Sequence, residues 1–585
     1  MSIIAGIYSL DQDTPIPAAL CGKLRQSVSR GPGNKITDFR GAQAYFVTAD
    51  TGAFGGPGQI VDATGGFSIL AGEPLLASRQ EKPGDRTAEL AAITASLASG
   101  VADILKRADG VFCLAGYCRE TGSLSLVTDK LGIRPLYYWS NDKFIIFASA
   151  LRILEAIDEI PKKMNLRAVT EIAGLGYAMA DRTPYCDIKL LGPGELLTAA
   201  NGRIDHSNYW TWNDINVSAD TEDDLVEGLY DRFKIAVARR SGSDAASIAY
   251  LSGGLDSRCV TAALCDLGVR VHTFNFARAG TQDQVLGQRY ADLVNVLHTE
   301  LPKQAGDQIP DYSTMLAKAW NRSEFRDSYP PERPQIAWSG EGGSVDLGHV
   351  HLGRKIVEFM RAGDEEAAID EFMRREGIFV SPKMLSAGVQ DDVADIIRRG
   401  IREELARITS PDPARRFYLF LMLNDQRRKL AGHFENIDLH RLEFQLPFFD
   451  SSFVEFIVSI PVDICLEHKL YIKWLRLFPE PTWSVAWQAY PGHEPCPLPV
   501  PDGLSYQWDD TYQRAEQGTR KRLVMGEAKG LLRAKRFPAD ILNKRNIALA
   551  AIAHRTGWRD YGYLIETASV YFKYWDKCGG KWGIV

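Results

Sequence analysis

Up to about residue 200, apolar residues come in short runs cut by Gly, Asn and Asp: Ile3-Ile4-Ala5-Gly6-Ile7-Tyr8, Gly65 to Leu70, Val111 to Tyr117, Ser123 to Asp129 and Phe144 to Ala148. Runs of this length between turn formers predict strands. The pattern then changes. Behind Thr221, a residue suited to capping, Leu225, Leu229, Phe233 and Val237 recur at helical spacing. Two further apolar runs follow, Ile248-Ala249-Tyr250-Leu251 and Val271-His272-Thr273-Phe274-Asn275-Phe276. Each leads into a helical stretch, the first carrying Val260, Ala263, Leu264 and Leu267 and the second spanning Gln288 to Val294, which predicts a βαβ succession and a parallel sheet. From Lys355 to Ala406, Ile369, Phe372, Val393, Ile396, Ile397 and Leu405 punctuate charged residues as in amphipathic helices. The expected fold class is α/β plus β-rich, with a β-rich first domain over 1–205. A polar linker from about Asn201 to Asp220 then leads into a doubly wound parallel α/β domain with extra helices over 206–585.

At 585 residues the chain is too long for one core, so two or more domains are expected. A 45% hydrophobic and 24% charged composition is that of a water-soluble protein, and a net charge of −6 argues against nucleic-acid partners. Met1 to Leu10 has no basic residue ahead of its apolar run, and no apolar run is long enough for a bilayer, so neither secretion nor membrane insertion is expected. The nine cysteines show no C-x-x-C spacing and read as free thiols of a reducing cytoplasm.

The chemistry is concentrated where Tyr250 and Leu251 run into Ser252-Gly253-Gly254-Leu255-Asp256-Ser257 and a helix opens at about Ser257. Paired glycines let the backbone turn tightly and bring its N–H groups to a ligand. The Ser252 and Ser257 hydroxyls and the positive helix end favour phosphate oxygens. Asp256 would repel a bare phosphate, so a bridging Mg²⁺ is expected with it. The segment has neither the Gly-Lys-Ser/Thr ending of a P-loop nor a Gly-x-Gly-x-x-Gly spacing. With its flanking strand and helix it resembles the pyrophosphate loop of the ATP-pyrophosphatase superfamily, whose members split ATP into AMP and pyrophosphate.

A second resemblance covers the first domain. Asp109-Gly110-Val111-Phe112, then Thr128-Asp129-Lys130-Leu131-Gly132-Ile133-Arg134-Pro135-Leu136-Tyr137-Tyr138 and Phe147-Ala148-Ser149 are similar to the glutaminase domain of asparagine synthetases. That resemblance implies an Ntn-hydrolase-like αββα fold. The family nucleophile is a cysteine exposed as the first residue, assisted by its own α-amine. Here the corresponding residue is Ala5, and the family's Asn-Gly-Glu segment is Ala71-Gly72-Glu73, so no glutaminase activity is expected.

Further on, Ser339-Gly340-Glu341-Gly342-Gly343-Ser344-Val345-Asp346 resembles the asparagine synthetase Ser-Gly-Glu-Gly-x-Asp-Glu segment. The resemblance places Ser339 and Gly340 at the α-phosphate and Glu341 at the incoming amine. Ser344 stands at the metal-binding Asp position, and Asp346 is the expected replacement ligand. Glu443-Phe444-Gln445-Leu446-Pro447-Phe448-Phe449-Asp450 is similar to the family's Arg-x-Pro-Phe-Leu-Asp segment. Phe276, at a strand end, either flanks the adenine or packs in the core. Ser484 to Pro501, with Trp487, Tyr490, Pro491, His493, Pro495 and Pro497, reads as a lid or a surface connector. The run from Phe537 to Asn546 resembles the Leu-Pro-x-x-Ile-Leu segment leading to a lysine that contacts the acyl-adenylate and pyrophosphate. Asn546 takes the lysine's place, with Lys544 or Arg545 supplying the cation.

Together these features resemble an asparagine-synthetase-like ligase that uses ATP and Mg²⁺ to adenylate a carboxylate for attack by an amine. Three roles fit. In the first, acid and amine lie in one molecule, as in lasso-peptide cyclases (macrolactam synthetases) and β-lactam synthetases. A lasso precursor peptide is the preferred substrate, with a leader-binding protein and a protease as pathway partners. In the second, ammonia or a separate amine is joined to a small carboxylic acid or sugar acid. In the third, the chain is a silent assembly partner.

Overall fold

The computed structural model describes residues 2–31, 34–76, 85–301, 316, 320, 331, 333–488, 496–505 and 510–585. Alternating short strands build a two-sheet sandwich first. One sheet contains β1 (Ser2–Ser9), β2 (Lys35–Arg40), β3 (Ala44–Asp50), β8 (Tyr137–Ser140), β9 (Phe144–Ala148) and β11 (Lys189–Leu190) in the order β11-β8-β9-β1-β3-β2. The other contains β4 (Gln59–Val61), β5 (Phe67–Gly72), β6 (Phe112–Cys118), β7 (Ser123–Thr128), β12 (Glu195–Ala200) and β13 (Arg203–Asn208) in the order β13-β12-β7-β6-β5-β4. Ile4, Tyr8, Phe46 and Phe147 of one sheet pack against Phe67, Ile69, Leu124 and Leu126 of the other. Helices Ala18–Ser27 and Arg86–Ala95 cover the outer faces, giving the αββα layering.

The second domain is a parallel sheet of β14 (Ala246–Tyr250), β15 (Arg270–Asn275), β16 (Leu297–Glu300), β17 (Ile336–Trp338) and β18 (Glu443–Gln445), in the order β16-β15-β14-β17-β18. Order reverses beside β14, which makes its carboxyl end the switch point where ligands bind in open parallel sheets. Thr221 caps the preceding helix, Glu222–Ser241, through a full capping box with Asp224. The charged stretch beyond 350 is helical, as its pattern predicts, with Ile369, Phe372, Ile397 and Leu405 in the large second core. No described helix is long and apolar enough to cross a membrane.

Two features depart from the simple division at residue 205. The helices Lys544–Thr556 and Gly562–Lys577 turn back onto the first domain, where Ile547, Ala550 and Tyr571 share a core with Ile3, Ala5 and Val47. A short parallel pair, β10 (Met164–Asn165) with β19 (Trp582–Gly583), fixes that return. Buried ion pairs also cross between the domains. Arg134 donates two hydrogen bonds to Glu443, at 2.7 and 2.8 Å, with both side chains almost fully buried. Arg239 meets Asp109 at 2.9 Å, and Glu73 is held by Arg333 at 3.4 Å and by the Gln445 amide at 2.7 Å.

Candidate active site

β14 ends at the switch point, and the loop behind it turns tightly into the helix Asp256–Asp266, one residue earlier than the sequence pattern predicts. The loop is ordered by its own serines. Ser252 N–H donates to Ser257 Oγ at 3.0 Å, Gly254 N–H donates to Ser252 Oγ at 3.1 Å, and the two hydroxyls lie 3.1 Å apart. Leu251 N–H donates to the Phe274 carbonyl at 2.9 Å, which ties the loop to β15. A methyl group on Gly253 would lie 2.7 Å from the Asp283 Cα, so only glycine allows this approach.

The Ser339–Asp346 segment comes to the same place from β17. Ser339 is buried, and its hydroxyl accepts the Glu341 N–H at 3.2 Å. A Cβ on Gly340 would lie 2.5 Å from Ser257 N, so the two loops touch backbone to backbone. Asp256 stands in the seam. Its carboxylate accepts from the Tyr471 hydroxyl at 2.6 Å, from Ser344 Oγ at 2.9 Å and from Ser344 N–H at 3.0 Å. Burial pushes the Asp256 carboxyl above the ordinary carboxylate range, against these three hydrogen bonds, which pull it down.

Aromatic rings border the strand ends. The Tyr250 ring lies 5.7 Å from Phe276 and 6.3 Å from Phe444, and Phe444 lies 5.6 Å from the imidazole of His433. Phe276 therefore packs on Tyr250 at the carboxyl end of the sheet and is only partly buried. Glu341 is half-exposed at the edge of this row and approaches His433 Nε2 at 3.4 Å.

Tyr250, Leu251, Ser252, Gly253, Gly254, Asp256, Ser257, Phe276, Ser339, Gly340 and Glu341 thus lie together at the carboxyl end of the parallel sheet. Asp346 is not joined to Asp256. It is fully buried two residues beyond Ser344, on the opposite side of the short helix, accepts a hydrogen bond from the Tyr418 hydroxyl, and is pushed by burial up to about 7. A carboxyl of that kind does not supply a second cation ligand beside Asp256, because the intervening short helix puts it against Tyr418. Among the described residues no cluster of three His, Cys, Asp or Glu side chains could hold a metal. A single carboxylate is still a sufficient protein contribution for Mg²⁺, which keeps waters and takes its other ligands from phosphates. Asp256 fits that role.

Lys544 and Arg545 also stand elsewhere. They open the exposed end of the Lys544–Thr556 helix, with the Lys544 ammonium 5.3 Å from the Phe537 ring centroid. The Asn546 amide bonds the Lys383 carbonyl at 2.8 Å. Hydrophobic anchoring of Ile541, Leu542 and Ile547 in the first-domain core carries this segment away from the loop. Tyr490, Pro491, His493 and Pro495 lie outside the described residues.

The cation that does lie against the loop is Arg258, which the sequence reading passed over although it directly follows Ser257. It is fully buried and donates to the carbonyls of Gly253 (2.9 Å), Val485 (2.8 Å) and Ala486 (2.8 Å). Burial lowers its guanidinium to about 10. Its signal in the sequence is one arginine among Cys259, Val260, Ala262, Ala263 and Leu264 in an otherwise apolar helix.

Residues 88–210 match the glutamine amidotransferase domain family, and residues 228–332 match the asparagine synthase family. Asparagine synthetase [glutamine-hydrolyzing] 3 of Bacillus subtilis is 28% identical over 30% of this chain and 29% of its own length. The putative asparagine synthetase [glutamine-hydrolyzing] 2 of Methanocaldococcus jannaschii is 31% identical over 31% of this chain and 36% of its own. The matched stretch thus spans about a third of the length of these relatives. The solved glutamine phosphoribosylpyrophosphate amidotransferase of B. subtilis, at 12% identity, covers 51% of this chain and 65% of its own with a TM-score of 0.22, too low to carry weight. The chain thus joins an Ntn-type domain similar to glutamine amidotransferases to a parallel-sheet domain similar, over residues 228–332, to asparagine synthase.

Proposed function

We propose that this chain is an ATP-dependent carbon–nitrogen ligase that forms an acyl-adenylate and releases AMP and pyrophosphate. The observation that carries this is the seam at Asp256, where the Ser252–Ser257 loop and the Ser339–Ser344 segment touch without room for a side chain at Gly340. Ser252, Gly253, Gly254 and Ser257 bind the pyrophosphate, and Ser339 and Gly340 lie against the α-phosphate. Tyr250 and Phe276 flank the adenine. Asp256 would hold Mg²⁺, which when bound neutralises phosphate charge. The substrate carboxylate attacks the α-phosphorus, pyrophosphate leaves, and an amine at Glu341 then attacks the acyl carbon and expels AMP. Most of the work is positioning and exclusion of water.

In the finer reading, the amine belongs to the substrate itself, and the reaction is macrolactam closure in a peptide. Ala5 supports this. It lies fully buried mid-strand, paired with Val47 on one side and Ala148 on the other, so no nucleophile stands where glutamine would be opened. The open, half-exposed setting of Glu341 suits a bulky substrate.

The test is pyrophosphate release from MgATP with a linear peptide carrying a free α-amine and an Asp or Glu side chain. Mass spectrometry should find a product lighter by one water. Release with ammonia and a small acid but not with peptide would replace macrolactam closure by simple amidation. No release with either would end the ligase reading, and glutamate formed from glutamine would refute the role given to Ala5.

A further inference from the structure

His433 lies outside every segment that suggested chemistry in the sequence, yet it is the side chain that closes the aromatic row at Glu341. Its Nε2 is 3.4 Å from Glu341 Oε1, and its ring packs edge-on against Phe444. The backbone leading to it is unusual. Between the helices Pro413–Phe420 and Arg427–Phe434 the chain runs through a π-helical turn, Leu421–Gln426. Such wide turns are rare and frequently lie at functional sites. This one is held from outside, with Asn424 Oδ1 accepting the Ala180 N–H at 2.9 Å. Lys429, one turn before His433 on the same helix, is engaged by Asp425 at 2.8 Å. A widened turn resets the register of the residues after it, and here that register brings an imidazole to a carboxylate beside the Tyr250–Phe444 row.

We propose that His433 is the positioning residue for Glu341 and takes up the proton that Glu341 removes from the attacking amine; the proposal rests on the ligase reading above. An amine bonded to an acyl carbon must shed one proton. As the C–N bond forms, the acyl C–O bond to AMP breaks and AMP leaves with that electron pair. The N–H proton passes to the Glu341 carboxylate, and the neighbouring imidazole accepts it, leaving an ion pair in place of a protonated acid. A long hydrogen bond before substrate arrives is usual for such pairs.

The two halves of the reaction separate this role from a structural one. His433→Ala and Glu341→Gln are compared with the parent in ATP–pyrophosphate exchange, which reads adenylation, and in amide formation with the same linear peptide. Exchange should stay within about twofold while amide formation falls about 100-fold or more, the usual worth of a general base. The double variant should be no slower than the worse single one. Hydroxylamine, largely unprotonated at neutral pH, should trap the adenylate at the parental rate in both variants. His433→Gln, which keeps a donor where Nε2 stands, should recover orientation but not proton uptake and fall between parent and His433→Ala. Equal loss in exchange and amide formation, parental amide formation, or failure of hydroxylamine to trap would each overturn the proposal. A parent protein without exchange activity would sink the ligase reading and the proposal with it.

Discussion

Arg258→Met tests whether the Ser252–Ser257 loop, proposed above to bind pyrophosphate, is held in shape by a buried charge. The substitution keeps the apolar stem and removes the guanidinium that reaches three carbonyls. Gly253 O retains a partner, the Gln488 N–H at 3.2 Å, but Val485 O and Ala486 O lose Arg258. Two orphaned carbonyls cost about 2–6 kcal/mol together. Against this stands relief from burying the cation. Its fall from 12.5 to about 10 corresponds to about 3 kcal/mol at 1.36 kcal/mol per unit. The net effect on folding therefore lies between about 1 kcal/mol of stabilisation and about 3 kcal/mol of loss, whereas the loop loses the Arg258 tie to residues 485 and 486. The expectation is a KM for ATP raised about tenfold in pyrophosphate exchange, with the urea midpoint of unfolding only slightly lowered. A KM within twofold of the parent would refute the strut role. Arg258→Lys, which keeps the charge but can serve fewer carbonyls at once, should lie between the two and covers the case in which the methionine variant fails to fold.

Three other outcomes are expected. Asp256→Ala should abolish pyrophosphate release while leaving circular dichroism and the melting profile close to the parent, since it also removes a carboxylate that burial disfavours. Arg134→Met alone should destabilise by about 3–5 kcal/mol by stranding Glu443, whereas Arg134→Met with Glu443→Leu should recover much of that, as denaturant titration of both will read. For Asp346 the folded carboxyl sits at about 7 against an ordinary 3.8, so the folded chain holds that proton longer. Its stabilising contribution is complete below about pH 4 and disappears as pH rises through about 7. In urea titrations across that window, Asp346→Asn should lack this decline, and an unchanged slope would count against a buried protonated acid.

What the sequence made readable was local. The tight turn of the Ser252–Ser257 loop into a helix is written in six adjacent residues, and the sandwich strands announce themselves by runs bounded by turn formers. The misplaced residues all depend on distant packing. Lys544 and Arg545 have the right charge and a matching neighbourhood, but Ile541, Leu542 and Ile547 are claimed by a core built around strands more than 350 residues earlier, which no local pattern encodes. Asp346 was judged by its spacing from Ser344, whereas the short helix between them decides that it meets Tyr418 and that Ser344 meets Asp256. His433 follows a π-helical turn, whose widened register disrupts the periodicity from which a helix face is read.

The ion pairs between the domains tie the integrity of each half to the presence of the other. Asp109, Glu73 and Arg134 neutralise Arg239, Arg333 and Glu443. A product lacking the first domain would expose Arg239 without Asp109, leave Arg333 to Asp244, and uncover the apolar underside of the returning carboxyl-terminal helices. The sandwich therefore serves the parallel-sheet half as a lid over charge and apolar surface, whatever chemistry its own strands support.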